Sequence, residues 1–279
     1  MIAARHNDAD RRHEISAQRS SPRQAKKFVD THCHCLPHLD DGPKSVEEAI
    51  ALCRMLVEDN VHTIVATPHQ LGRFESRTSA AMIHQATRML NEELEERGIE
   101  LTVLPGAEVR LDERIAELLA RHEILTLADA GRHVLLELLW DVFIDIEPLL
   151  VQFVSDGIGP IIAHPERNGP LLGHLEVLRR WLSCGGISLQ VTAASLMGHF
   201  GPQVGRAAWR LVTERWVDVI ATDAHNIDSH PPCMVAAYEM IAAHLGRHFA
   251  DLLCVGNPSR IARGERLVPA CTLDRQEVW

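Results

Sequence analysis

His32-Cys33-His34 near the start of the chain and Asp223-Ala224-His225 near its end each place two metal-friendly side chains two residues apart. Both motifs close an apolar run, KFVDTHCH and DVIATDAH. In a strand, residues i and i+2 point to one side, so both side chains of a motif can reach one ion. A single His-x-His pair arises readily by chance. Its recurrence with a carboxylate at a second run favours a shared metal site. The same alternation turns Cys33 away from whatever His32 and His34 share and argues against it as a ligand.

Five further apolar runs carry a polar residue at or near their ends. TIVATPH closes on His69, LTVLPGAE on Glu108, VLLEL carries Glu137, PIIAHPE carries His164 and ISLQV carries Gln190. Pro68 and Pro105-Gly106 interrupt the strand ladder just before His69 and Glu108. Glu137 lies among Leu135, Leu136, Leu138 and Leu139, where a lone carboxylate needs a cation or an arginine; a structural salt bridge is the alternative. Asp41, in the Asp40-Asp41-Gly42-Pro43 turn, is either a turn residue or a further ligand.

The candidate ligands are therefore His32, His34, Asp41, His69, Glu108, Glu137, His164, Asp223 and His225, too many for one ion. Mixed nitrogen and oxygen donors favour manganese, iron or zinc over calcium, and a carboxylate such as Glu108 can bridge two ions. About two or three divalent cations would offset the carboxylates and leave a cleft that attracts phosphate. Arg167, just past His164, could hold a phosphoryl oxygen bidentately or simply pair with Glu166. His230, in Ser-His-Pro-Pro, can reach the same cleft. The chain has no Gly-x-Ser-x-Gly elbow, Walker loop or Cys-x5-Arg loop, which leaves metal-activated water as the nucleophile.

Apolar runs of this kind, alternating with helix-like stretches, predict strands of a parallel barrel whose chemistry gathers at the strands' C-terminal ends. Seven runs imply an α/β fold, a distorted seven-stranded TIM-like barrel. An open doubly wound sheet is the competitor, but it would concentrate ligands at one crevice rather than draw them from nearly every strand. Ser45 with Glu48 forms a capping box for a helix reaching about Asn60. Further helices are expected over 77–97, 112–121, 145–155, 172–183, 202–215 and 232–245. Residues 1–26 are polar, lack a periodic apolar face and are expected to be a disordered extension, with 27–279 a single domain. Leu196–Phe200 either caps the cleft or faces another subunit.

A formal net charge of -10 argues against a broad grip on nucleic acid or an anionic membrane. No run approaches the roughly 18 to 20 apolar residues of a membrane span, and the N-terminus lacks the apolar core of a signal peptide, so a cytoplasmic protein without membrane insertion is expected. Seven cysteines without zinc-finger spacing are expected to be reduced thiols.

Read in order, DTHCHCLPHLDDGPKS, IVATPHQ, LPGAEVRL, LLEL, PIIAHPERN, LQVTAASLMGHFG and IATDAHN resemble the PHP (polymerase and histidinol phosphatase) superfamily, in its bacterial CpsB/CapC-type protein-tyrosine-phosphatase branch, from Phe28 to Arg263. The resemblance implies a distorted seven-stranded PHP barrel and a trinuclear, often manganese-dependent site. Its implied substrate is the phosphotyrosine-bearing tail of a bacterial tyrosine kinase that controls capsule or exopolysaccharide export. It also implies three ligand sets: His32, His34, Glu108 and Asp223; Glu108, Glu137 and His164; and Asp41, His69 and His225. Arg167 matches the arginine that binds phosphate. The arginine usual after Asp-Ala-His-Asn is replaced by His230, so activity is expected to rise as His230 protonates below about pH 6.5. The alternatives are hydrolysis of a small phosphomonoester such as histidinol phosphate, and a non-catalytic, metal-bound kinase partner.

Overall fold

The structure, a computed structural model, describes residues 26–273. The expectation for the N-terminal extension falls outside these residues except for Lys26, whose ammonium pairs with Asp251 and lies over the Tyr238 ring.

The seven expected runs form nine strands: β1 (Phe28–Cys33), β2 (Val61–Ala66), β3 (His69–Gln70), β4 (Thr102–Pro105), β5 (Glu108–Arg110), β6 (His133–Glu137), β7 (Gly159–Ala163), β8 (Ser188–Thr192) and β9 (Val219–Ala221). Two runs are each broken in the middle. Thr67-Pro68 separates β2 from β3, where proline cannot donate to a ladder and its carbonyl instead accepts the Glu108 N–H at 3.3 Å. Gly106-Ala107 separates β4 from β5. A Cβ on Gly106 would lie 2.6 Å from Val65 Cγ1, so only glycine lets the backbone pass this close.

These breaks decide the sheet topology. All the ladders are parallel, but pairing divides into a sheet ordered β1-β2-β4 and a second ordered β3-β5-β6-β7-β8-β9. β1 meets the segment after β9 through one isolated bridge, Cys33 to Ala224. The expected distorted ring of seven strands takes the form of two parallel sheets, because Pro68 and Gly106 shift the ladder between the halves of two runs. Val65, Leu135, Ile161, Ala163 and Val219 from four strands meet in one small inner cluster, closed by Leu127 and Ile261. The opposite faces pack against the helices in a larger core, which explains why the strands read as nearly continuous apolar runs.

The helices agree with their sequence signals to within a few residues at their ends. Ser45 Oγ accepts the Glu48 N–H at 3.1 Å and begins the helix Val46–Glu58. Ala80–Glu96 is capped by Ser79 and preceded by a 3-10 turn over Gly72–Arg77 that the periodicity did not anticipate. The stretch expected as one helix over 172–183 is two, Gly169–Leu172 and Leu175–Ser183, broken at Gly173-His174. Among the described residues no helix is long and apolar enough to cross a membrane.

Candidate metal centre

The nine side chains singled out in the sequence converge on one place: His32, His34, Glu137, His164, Asp223 and His225 from the ends of β1, β6, β7 and β9 or just beyond them, His69 and Glu108 from the first residues of β3 and β5, and Asp41 from the turn after β1. His32 and His34 point the same way, with their Nε2 atoms 3.2 Å apart, whereas the Cys33 thiol turns aside to the Ala224 carbonyl. Each imidazole is fixed from behind. Gln190 Oε1 sits 2.8 Å from His32 Nδ1, and Asp40 Oδ2 sits 2.6 Å from His34 Nδ1. Both partners accept, so both Nδ1 atoms carry a proton and both Nε2 atoms face the cleft. His225 is turned similarly by its Nδ1 against the Asp223 carbonyl at 2.9 Å.

Glu108 lies in the middle of the group. Its Oε1 is 2.7 Å from His164 Nε2, and its Oε2 is 3.5 Å from both His32 Nε2 and His34 Nε2 and 3.0 Å from His69 Nδ1. Asp223 Oδ1 is 3.2 Å from His32 Nε2. Asp41 Oδ1 is 3.5 Å from both His69 Nε2 and His225 Nε2. Glu137 Oε1 accepts the Trp140 indole N–H at 2.8 Å, while its Oε2 is 3.5 Å from Arg110.

Four sets of donor atoms lie within 4.8 Å of one another: His34 with Asp41, His69 and His225; His32 with His164 and Asp223; His32 with His34 and Glu108; and His69 with Glu108 and Glu137. The grouping differs from the sets implied by the resemblance in three respects, the first being that His69 rather than His164 joins Glu108 and Glu137. His34 joins the Asp41, His69 and His225 group, and His164 lies with His32 and Asp223 as well as beside Glu108. Glu108 Oε2 is buried among three imidazoles yet receives no well-directed hydrogen bond from them, the situation expected of an oxygen whose natural partner is a cation. The residues present thus fit divalent metal ions.

Burial alone would keep His32 neutral, but Asp223 and Glu108 outweigh it and raise the imidazole to about 10. Against the same burial, His32, His164 and His69 hold Glu108 well below the usual carboxylate range. Cations can take over the charge compensation that protons otherwise supply here. The backbone is bent to match. His164 and Asp223 both adopt positive φ, 32° and 54°, a region costly for a side chain with a Cβ and met chiefly where function requires it.

Arg167 lies at the mouth of the cleft. Its guanidinium pairs with Asp223 and stands over the rings of Trp140 at 5.3 Å and Phe200 at 4.7 Å. Pairing with Glu166, the alternative left open by the sequence, does not occur: Glu166 is buried and accepts from Thr192 N–H and Ser195 Oγ. His230 lines the same cleft, its ring 5.4 Å from both Phe200 and His225. Burial and His225 push its pKa down, so protonation there is harder than its reference value suggests. Phe200, the last residue of the Leu196–Phe200 segment, thereby packs against two of the residues that line the cleft. The cleft encloses about 370 Å³ and opens into a second hollow of about 400 Å³ with which it shares His69, Arg73, Glu137 and Trp140.

Several residues of the site escaped sequence reading. Asp40 was eclipsed by its neighbour Asp41, although a second carboxylate in the same turn was a usable signal. Trp140 stacks on His164 with ring centroids 5.2 Å apart and anchors Glu137; nothing in its sequence surroundings marks it. Arg73, which pairs with Asp41 at 2.6 Å, lies in the unanticipated 3-10 turn.

A family model described as capsular polysaccharide synthesis, CpsB/CapC, matches residues 28–263. The chain belongs to the CpsB/CapC family. Among similar CpsB/CapC proteins, the tyrosine-protein phosphatase YwqE of Bacillus subtilis is 36% identical over 201 residues, 72% of this chain and 78% of that protein. The tyrosine-protein phosphatase CpsB of Streptococcus pneumoniae is 33% identical over 240 residues, 84% of this chain and 98% of that protein. A structure from a study of YwqE and CpsB, described as unique metal-dependent tyrosine phosphatases, superimposes with a TM-score of 0.81 at 29% identity, covering 86% of this chain and 96% of that one. Outside the CpsB/CapC family, the phosphotriesterase homology protein of Escherichia coli shares the fold alone, with a TM-score of 0.52 at 13% identity, over 84% of this chain and 98% of that one.

Proposed function

We propose that this protein is a metal-dependent tyrosine phosphatase acting on the phosphotyrosine-bearing tail of a bacterial tyrosine kinase in capsule or exopolysaccharide biosynthesis. The observation that carries the reading is the convergence of nine side chains with nitrogen and oxygen donors, the buried Glu108 carboxylate among them, beside the Arg167 guanidinium. The names of the similar YwqE and CpsB proteins support the same substrate class. We read the two sheets as a distorted PHP barrel, residues 27–279 as one domain, and the protein as cytoplasmic; its seven unpaired cysteines accord with a reducing compartment.

His32, His34, Asp41, His69, Glu108, Glu137, His164, Asp223 and His225 would hold two or three divalent ions, manganese in our reading, with iron or zinc as alternatives. When bound, these ions supply a Lewis acid and an activated water molecule. The rest of the chemistry belongs to the chain. Arg167, held by Asp223 and flanked by two aromatic rings, directs its remaining N–H groups at the phosphoryl oxygens and stabilises charge that grows in the transition state. His230, against the same Phe200 ring as Arg167, offers one further hydrogen bond. Trp140 holds Glu137 in place and lines both the cleft and the adjoining hollow, which receives the aryl group. Phenolate, with a pKa near 10, leaves readily without a dedicated acid.

The test compares turnover of a phosphotyrosine peptide with that of histidinol phosphate. Preferential hydrolysis of the peptide supports the proposal. Preference for histidinol phosphate, whose leaving group is an aliphatic alcohol, would assign the site to small phosphomonoesters instead.

A further inference from the structure

Trp140, Val142 and Ile144 are three of the seven exposed large hydrophobic side chains among the described residues, with relative exposures of 38%, 47% and 47%. They lie on the segment 138–146, which joins β6 to the helix Glu147–Ser155. Single apolar side chains scattered over a surface need no explanation, whereas a group of them beside a cleft marks a contact site. Trp140 lines both the cleft and the adjoining hollow. The apolar group therefore starts at the candidate site and runs outward from it.

The segment is held in place along its length. The Leu139 carbonyl accepts from Asn168 Nδ2 at 2.9 Å, and the Asp145 carboxylate accepts the Trp181 indole N–H at 2.9 Å and pairs with Arg180. Between these anchors Phe143 packs against the core, its ring stacked 4.0 Å from His174. With Phe143 turned inward, Val142 and Ile144 on either side of it face outward, the alternation of an extended chain. Among the described residues no backbone N–H of 139–145 finds an acceptor. An extended apolar segment with unused donors can take a second extended chain alongside it.

We propose that 139–145 is a docking ledge for the polypeptide substrate, which it grips through apolar residues next to the phosphotyrosine; this rests on the phosphatase reading above. A phosphotyrosine that reaches Arg167 lays its aryl group beside Trp140, so the chain that carries it leaves the cleft past this segment. The Cα atoms of Val142 and Ile144 stand at most about 7 and 14 Å from that of Trp140, the spacing of the side chains that flank the phosphotyrosine in an extended peptide. Asp141, exposed between Trp140 and Val142, disfavours acidic flanking residues and, with the formal net charge of -10, an anionic membrane.

The experiment is fluorescence anisotropy on the full chain with Mn2+, using two labelled peptides of equal length and charge that carry a non-hydrolysable phosphotyrosine mimic flanked by leucine or by glycine. The leucine-flanked peptide should bind the parent protein about tenfold or more tightly than the glycine-flanked one, and the double variant Val142→Ser/Ile144→Ser should abolish that advantage. Turnover of free phosphotyrosine, which is too small to reach the ledge, should be the same in both proteins and shows that the variant folds. Should the variant lose it, Val142→Thr/Ile144→Thr, which keeps the branching at Cβ, takes its place. Absence of free phosphotyrosine turnover from the parent protein would refute the phosphatase reading, while the anisotropy comparison judges the ledge separately. Four results would overturn the proposal: no binding of the leucine-flanked peptide up to about 1 mM, equal binding of the two peptides by the parent protein, an advantage undiminished in the double variant, or a double variant changed only in self-association, read by light scattering.

Discussion

Asp40 Oδ2 lies 2.6 Å from His34 Nδ1 and also accepts the His69 backbone N–H at 3.1 Å, so one buried carboxylate orients two of the candidate ligands. Its other oxygen accepts the Gly42 N–H at 3.0 Å, which ties the turn to the site. Outer partners of this kind set ring orientation and donor strength without touching a metal. Asp40→Ala is therefore expected to weaken metal affinity by roughly 10- to 100-fold, with Asp40→Asn less affected. Metal titration followed by calorimetry measures this, and equal affinities in both variants and the parent protein would rule out the orienting role.

Arg167 contacts Asp223 and two aromatic rings and lines the cleft. Its removal should lower kcat for a phosphotyrosine peptide by about 100-fold or more, as expected for a donor that acts on developing charge. Arg167→Lys should recover only part of this, because an ammonium cannot reproduce the planar fork. Steady-state kinetics of both variants provide the check; an unchanged kcat with a raised KM would reduce Arg167 to substrate binding.

Burial raises the Asp218 carboxyl from its ordinary 3.8 to about 6, despite help from the Ala270 N–H and Ser188. Between these values the folded state holds a proton that the unfolded state has released. The stabilisation is complete below about pH 4 and is lost as pH rises through about 6. Asp218→Asn should remove this dependence and be more stable than the parent protein at pH 7 by on the order of 1 to 3 kcal/mol. Denaturant unfolding of both proteins at pH 4.5 and pH 7 tests the sign. A difference that does not grow with pH would contradict it.

Gly106 has room for no side chain, since a Cβ would stand 2.6 Å from Val65 Cγ1. Gly106→Ala should destabilise the fold by about 1 to 3 kcal/mol through overpacking. Thermal unfolding tests this, and the companion change Val65→Ala should relieve part of the loss if the clash is the cause.

Strand alternation made much of the site legible. It brought His32 and His34 to one side and turned Cys33 away, whereas Asp223 and His225 lie past the end of β9 and reach the site through a turn in which Asp223 has positive φ. Glu137 stood out because a carboxylate among leucines must have a partner. The outer partners were harder to see: Asp40 differs from Asp41 only in which way the turn presents it, and Trp140 reaches Glu137 across three residues beyond a strand end. The division of the expected distorted barrel into two sheets has a local reason. Pro68 and Gly106 are plain in the sequence, but whether a break ends a strand or shifts its ladder depends on close packing such as that of Gly106 against Val65.

The central claim is tested most directly by measuring metal content and phosphotyrosine-peptide turnover on one preparation, before and after chelation and after adding Mn2+. We expect activity to disappear with the metal and to return with it. Undiminished turnover in the metal-free protein, or full metal occupancy with no turnover, would contradict the account.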